Sequence, residues 1–196
     1  MAYPSVSAPY GLIPINLIGG QVFAGATRSV PITSASATAI YFGDVVKLAS
    51  GTLSKDTGTD AATPVGVFLG CRYTDPVYGL TFRQFYPGAV TATDITAFVA
   101  DDPDQLFKAV IVTSGTTVGQ VARSAVGKNA VLVQNSGNTI TGDSAVALSN
   151  TVATTSTWPI RVIDVIAESS PAASSYCEVV VKWNQGMHQY LNPTGV

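Results

Sequence analysis

Apolar residues along this chain mostly alternate with polar ones over short stretches, and turn-forming residues punctuate them. Alternation with a period of two marks half-buried strands. It predicts strands at Val45–Leu48, Leu80–Tyr86, Ile95–Val99, Lys108–Thr113, Ser144–Leu148, Ile160–Ile166 and Cys177–Trp183. Pro64–Cys71 is nearly continuous in apolar residues and predicts a strand buried on both faces. In Leu80–Tyr86, Leu80, Phe82 and Gln84 face one way, and Thr81, Arg83 and Phe85 the other. Gly43-Asp44, Pro87-Gly88 and Ser136-Gly137-Asn138 are turns, and residues 50–63 are a polar loop or exposed hairpin. Helical signals are few. Asp101-Asp102-Pro103 is a helix-start pattern leading to Phe107, and Val118, Val121, Ala122 and Ala125 have helical spacing. The sum is nine to eleven short strands with very little helix: an all-β fold, a compact sandwich or barrel of short antiparallel strands.

The first 39 residues break this rhythm. Prolines recur at 4, 9, 14 and 31, and proline is poorly tolerated in helix interiors and central strands. Gly19-Gly20 adds a flexible joint. Residues 1–39 are therefore expected to form an extended arm, with one short strand near Gln21–Ala24. Its Tyr3, Tyr10, Leu12, Ile13, Ile15, Leu17 and Ile18 are too apolar to be left in water. Residues 40–190 form the β-rich domain, with a division into two subdomains near 100–115 left open, and residues 191–196 are a tail. The first 18 residues have no basic region and are interrupted by proline, so a signal peptide is not expected.

Charge is sparse: ten basic and twelve acidic residues in 196, with a net charge of −2. No basic run invites nucleic acid, and no apolar run reaches the length of a membrane span. So few charges imply a surface partly covered by partners or by copies of itself.

Reactive side chains are scarce. The only histidine, His188, lies near the C-terminus with no nucleophile motif around it, and one histidine with two cysteines falls short of a structural zinc set. Cys71 and Cys177 read as buried thiols. Asp101, Asp102 and Asp104 lack the spacing of a helical-hand calcium loop and read as a helix cap. Gly127-Lys128 lacks the earlier glycine of a phosphate loop, because Ala122 stands there. Neither an enzyme nor a cofactor is expected.

The segment Gly43-Asp-Val-Val-Lys-Leu48, a polar loop, and Ala62-Thr-Pro-Val-Gly-Val-Phe-Leu-Gly70 together resemble the opening of small capsid-decoration (cement) proteins of tailed bacteriophages. Later stretches are similar to structural proteins of marine and cyanobacterial phages: Val99–Phe107, Val126–Ala130, Thr139–Ser144, Pro159–Ile163 and Val180–Gln185. The resemblance spans roughly residues 40–190 and has no counterpart for the proline-rich arm. It implies a virion protein, made in the host cytoplasm, that binds the outer surface of an assembled head. Its partners would be the major capsid protein and itself, as a homotrimer, without nucleic acid or membrane. Under this reading Tyr3, Tyr10, Leu12 and Ile13 are the arm's anchors, with Trp183 and Tyr190 at the other end; a core position for Trp183 is equally compatible with the sequence. Another virion part (tail tube, head-fibre base or spike) and a carbohydrate-binding β-domain remain alternatives.

Overall fold

A computed structural model describes residues 8–166 and 176–195. The fold is all β. Among the described residues thirteen strands fall into two sheets, accompanied by 3-10 turns such as Arg123–Ala125 and Gln185–Met187.

The six-stranded sheet takes the earlier part of the chain: Arg28–Pro31 (β2), Val45–Ala49 (β3), Thr52–Lys55 (β4), Gly66–Asp75 (β5), Gly79–Arg83 (β6) and Thr96–Ala100 (β7). Its order is β2-β7-β5-β3-β4, with β6 paired to the far half of β5. An isolated bridge between Ile32 and Leu53 links its two ends. The seven-stranded sheet holds Ile13–Leu17 (β1), Gln105–Ser114 (β8), Thr117–Val118 (β9), Asn129–Val133 (β10), Ala147–Ala153 (β11), Ile160–Val165 (β12) and Glu178–Trp183 (β13). Five of these, in the order β8-β11-β10-β12-β13, close on themselves because β13 also pairs with β8. Closure removes free edges from that barrel.

Two apolar clusters fill the molecule. One, with Phe107, Trp183, Leu148 and Ile160, fills the barrel and also takes Val45, Val67 and Ala100 from the other sheet. The second, with Phe68, Tyr86, Ile95 and Val99, lies under the six-stranded sheet. Between Ala100 and Gln105 the chain passes from one sheet to the other.

Residues 8–39 are part of this body and do not form a separate arm. Leu12 is fully buried in the barrel core, β1 pairs with β8, and β2 pairs along its whole length with β7. Pro14 is accommodated because β1 is an outer strand. The strand expected near Gln21–Ala24 reduces to one bridge between Asn16 and Val22. The helix expected from Asp101 to Phe107 is a tight turn. Asp102 accepts the Asp104 N–H through its side chain and the Gln105 N–H through its carbonyl, and β8 begins at once. Asp102 thus closes a turn through local side-chain bonding, which competes with helix initiation.

The two halves meet where three segments cross. The Gly11 N–H donates to Val146 O, the Leu12 N–H to Gly43 O, and the Gly43 N–H to Phe68 O. Gly11 and Gly43 both have positive φ, and a Cβ on Gly11 would lie 2.6 Å from the Gly43 carbonyl oxygen. Only glycine at position 11 lets the strands touch this closely. Beside them Asp44 is fully buried and fully engaged. Its carboxylate accepts the Tyr41 N–H at 2.9 Å and the Ser144 hydroxyl at 2.6 Å, and Lys55 Nζ lies 2.8 Å away. The Gly-Asp pair of the sequence motif is therefore the knot between the sheets.

Candidate binding surface

The anchors expected from the sequence do not assemble into one surface. Tyr3 lies outside the described residues. Leu12 and Trp183 are core residues at 0% and 2% exposure, and so give a partner nothing to grip; Trp183 packs on Phe107 with ring centres 5.1 Å apart. Ile13 is half-buried in β1. Tyr10 is tied down: its hydroxyl donates to Glu178 Oε1 at 2.6 Å, and Lys108 lies over its ring and 3.2 Å from the same carboxylate oxygen. Burial, and then the bond to Glu178, push the Tyr10 phenol well above its ordinary range. Tyr190 stays 42% exposed, but its hydroxyl donates to Asp101 at 2.7 Å and Arg28 lies against both. Burial, followed by the bond to Asp101, raises its pKa to about 12.

The polar groups considered for chemistry are likewise committed to structure. Asp101 binds Arg28 and Tyr190, Asp102 closes a turn, and Asp104 pairs with Lys182. His188 is buried against Trp183 and Tyr190, and burial holds its pKa below the ordinary value against the opposing pull of the Val65 backbone, Asp101 and Asp102. Cys71 and Cys177 are free and buried, and burial raises the Cys71 thiol to about 11. Among the described residues no three His, Cys, Asp or Glu side chains cluster closely enough to hold a metal ion.

What the structure does bring together is an apolar surface that sequence reasoning missed. The β5–β6 hairpin turns at Pro76-Val77-Tyr78, where Asp75 Oδ1 accepts the N–H groups of Val77 and Tyr78 and Gly79 takes a positive φ. Asp-Pro before a glycine is turn chemistry. Beyond the turn Leu80 and Phe82 point outward at 60% and 65% exposure, and Val77 and Tyr78 are both 78% exposed. On β6 the inner positions go to Gly79, Thr81 and Arg83, which are only half-buried. Phe82 also lines a shallow depression of about 460 Å³ on the outer face, with Phe42, Leu69 and Phe98. The outer face around β6 thus sets the exposed Leu80 and Phe82 and the half-buried Phe42, Leu69 and Phe98 beside the polar Arg72 and Thr74 of β5.

Alternation in Leu80–Arg83 was visible in the sequence, but the side facing the core was not. A Leu/Phe face is ordinarily the buried one. Here Cys71 and Tyr73, the β5 partners of Arg83 and Thr81, are the buried pair, and they turn Leu80 and Phe82 out.

Compared with protein-family models, with curated proteins and with solved structures, the chain matches none of them.

Proposed function

We propose that this chain is a structural virion protein that adheres to the outside of an assembled phage head and reinforces it against the pressure of packaged DNA. The observation that carries the reading is the group of exposed Leu80, Phe82, Val77 and Tyr78 side chains on the β5–β6 hairpin, presented by a fold in which Asp44, Asp101, Asp104 and Glu178 are bound up in holding strands together. An adhesive needs shape and desolvated apolar contact. Sparse charge agrees with a surface covered in its working state. The resemblance of Gly43–Leu48 and Ala62–Gly70 to capsid-decoration proteins, and of later stretches to phage structural proteins, supports the shell as the partner.

Binding that occurs only on the expanded lattice stabilises that lattice by mass action. Several copies acting together multiply a modest contact. The major capsid protein is the partner in this reading, and no residue is assigned a catalytic role.

Co-sedimentation tests it. Purified protein is mixed with empty heads of the encoding virus, in expanded and unexpanded form. Saturable pelleting with expanded heads, at hundreds of copies per particle, is expected. Protein left in the supernatant with both forms would overturn the reading.

A further inference from the structure

We infer that the free edge of β6 is a self-association site, at which a second copy of this chain adds its own β6 antiparallel across a twofold axis through Thr81. This holds whether or not the outer face binds a particle shell.

One side of the β6 backbone is open. The Thr74 N–H donates to Asp94, on the side of β5 away from β6. In an antiparallel ladder, paired residues alternate between bonding each other and bonding outward. Thr74 pairs with Leu80, and Arg72 with Phe82, so Leu80 and Phe82 direct their N–H and C=O groups away from β5. Among the described residues no strand receives them.

The other outer strands are guarded, and this one is open. β1 carries Pro14, β2 carries Pro31 and Arg28, and β4 is capped by the bridge from Ile32 to Leu53. β9 has two residues. β6 has no proline and no bulge, its one charged residue, Arg83, lies half-buried on the inner side over the Tyr73 ring, and its outward side chains are Leu80 and Phe82. Soluble proteins blunt exposed edges, so an apolar unguarded one marks a strand paired in the working assembly.

β6 also complements itself. Centred on Thr81, Leu80 faces Phe82 of the second copy, and both pairs fall on the groups already aimed outward. Gly79 faces the second copy's Arg83, in one row with Asp75 across β5. A Cβ at Gly79 would meet nothing within 4 Å, which leaves room there for the arginine, whose guanidinium within one copy lies over Tyr73. The result is a continuous sheet of two copies with the outer faces side by side. It is a twofold contact, in contrast to the threefold cluster that the resemblance implies.

The test uses the intact chain. In sedimentation at micromolar concentration, the wild type is expected to run as a dimer. Leu80→Lys/Phe82→Lys sets like charges opposite each other and should weaken association at least tenfold. Leu80→Lys/Phe82→Glu sets opposite charges in the same register and should recover it. Thr81→Cys places two thiols in a non-hydrogen-bonded pair about 4.5 Å apart at Cα, within disulfide reach, so mild oxidation should link the copies. Leu80→Cys, offset by two residues from its own image, should not link. Unchanged melting of the oxidised and charged variants checks that each is folded. A wild type that stays monomeric, or a trimer in which Thr81→Cys fails to crosslink, would overturn the inference.

Discussion

Two regions about the same size treat their polar groups in opposite ways. At the crossing of residues 10–12, 43–44 and 144–146, the buried polar groups find partners inside the chain, down to both oxygens of Asp44. At β6 the backbone is open on one side and the side chains above it are apolar. The first region is complete by itself and belongs to folding. The second is incomplete by itself and belongs to association. A polar network adds to a fold only when every member is satisfied, and a bare strand edge is tolerated only when something is to cover it.

The difference makes mutational effects separable. Asp44→Ala should have the largest effect: it strands the Lys55 ammonium and unpairs the Tyr41 N–H and the Ser144 hydroxyl. Loss of one partner from a buried pair costs about 3–5 kcal/mol, enough to make the chain marginal or unfolded in urea titration. A loss below about 1 kcal/mol would mean that the crossing is not the knot described here.

Next in size is a pH effect at His188, the only histidine. Its folded pKa lies below the ordinary 6.5 because burial disfavours the cation. The unfolded chain takes up the proton first as pH falls. The stability contributed by the neutral ring is therefore whole above pH 6.5 and is lost as pH drops below it toward the folded value. The slope for one group is at most about 1.4 kcal/mol per pH unit. Urea midpoints at pH 8 and pH 5.5 should differ in that direction, and His188→Gln should flatten the difference. Capsid binding by the folded fraction should not follow this titration, since the ring is sealed from the outer face.

The smallest effect on folding belongs to the edge. Leu80→Ser/Phe82→Ser removes two large side chains that are mostly in water, and monomer stability should move by no more than about 0.5 kcal/mol, measured below the association range. A loss of several kcal/mol would show that the hairpin is held by the fold rather than reserved for a partner.

Most of the architecture was legible from alternation. Ile160–Val165 and Glu178–Trp183 form strands that turn Ile160, Val162, Val179, Val181 and Trp183 into the barrel core, while β3 is buried on both faces, with Val45 in one cluster and Val46 in the other. The 1–39 segment was not legible. Its prolines argued for a lead-in, yet Pro14 and Pro31 sit in outer strands where a missing donor costs little. The site was the least legible part. Tyr10 and Leu12 look like anchors by chemistry, but their partners, Glu178 and the barrel core, arrive from the opposite end of the chain. At β6 the pattern was plain and its sense was not, because the choice of inner face depends on Cys71 and Tyr73 in the neighbouring strand.

The bond between Tyr10 and Glu178 joins residues 168 positions apart. β1 is made before its neighbours in the finished molecule, β8 and the Gly43 turn. The crossing cannot lock until residue 146 has emerged, and Tyr10 must wait for Glu178. Such high contact order slows folding, and a nascent chain stalled before residue 178 would lack the clasp that holds β1.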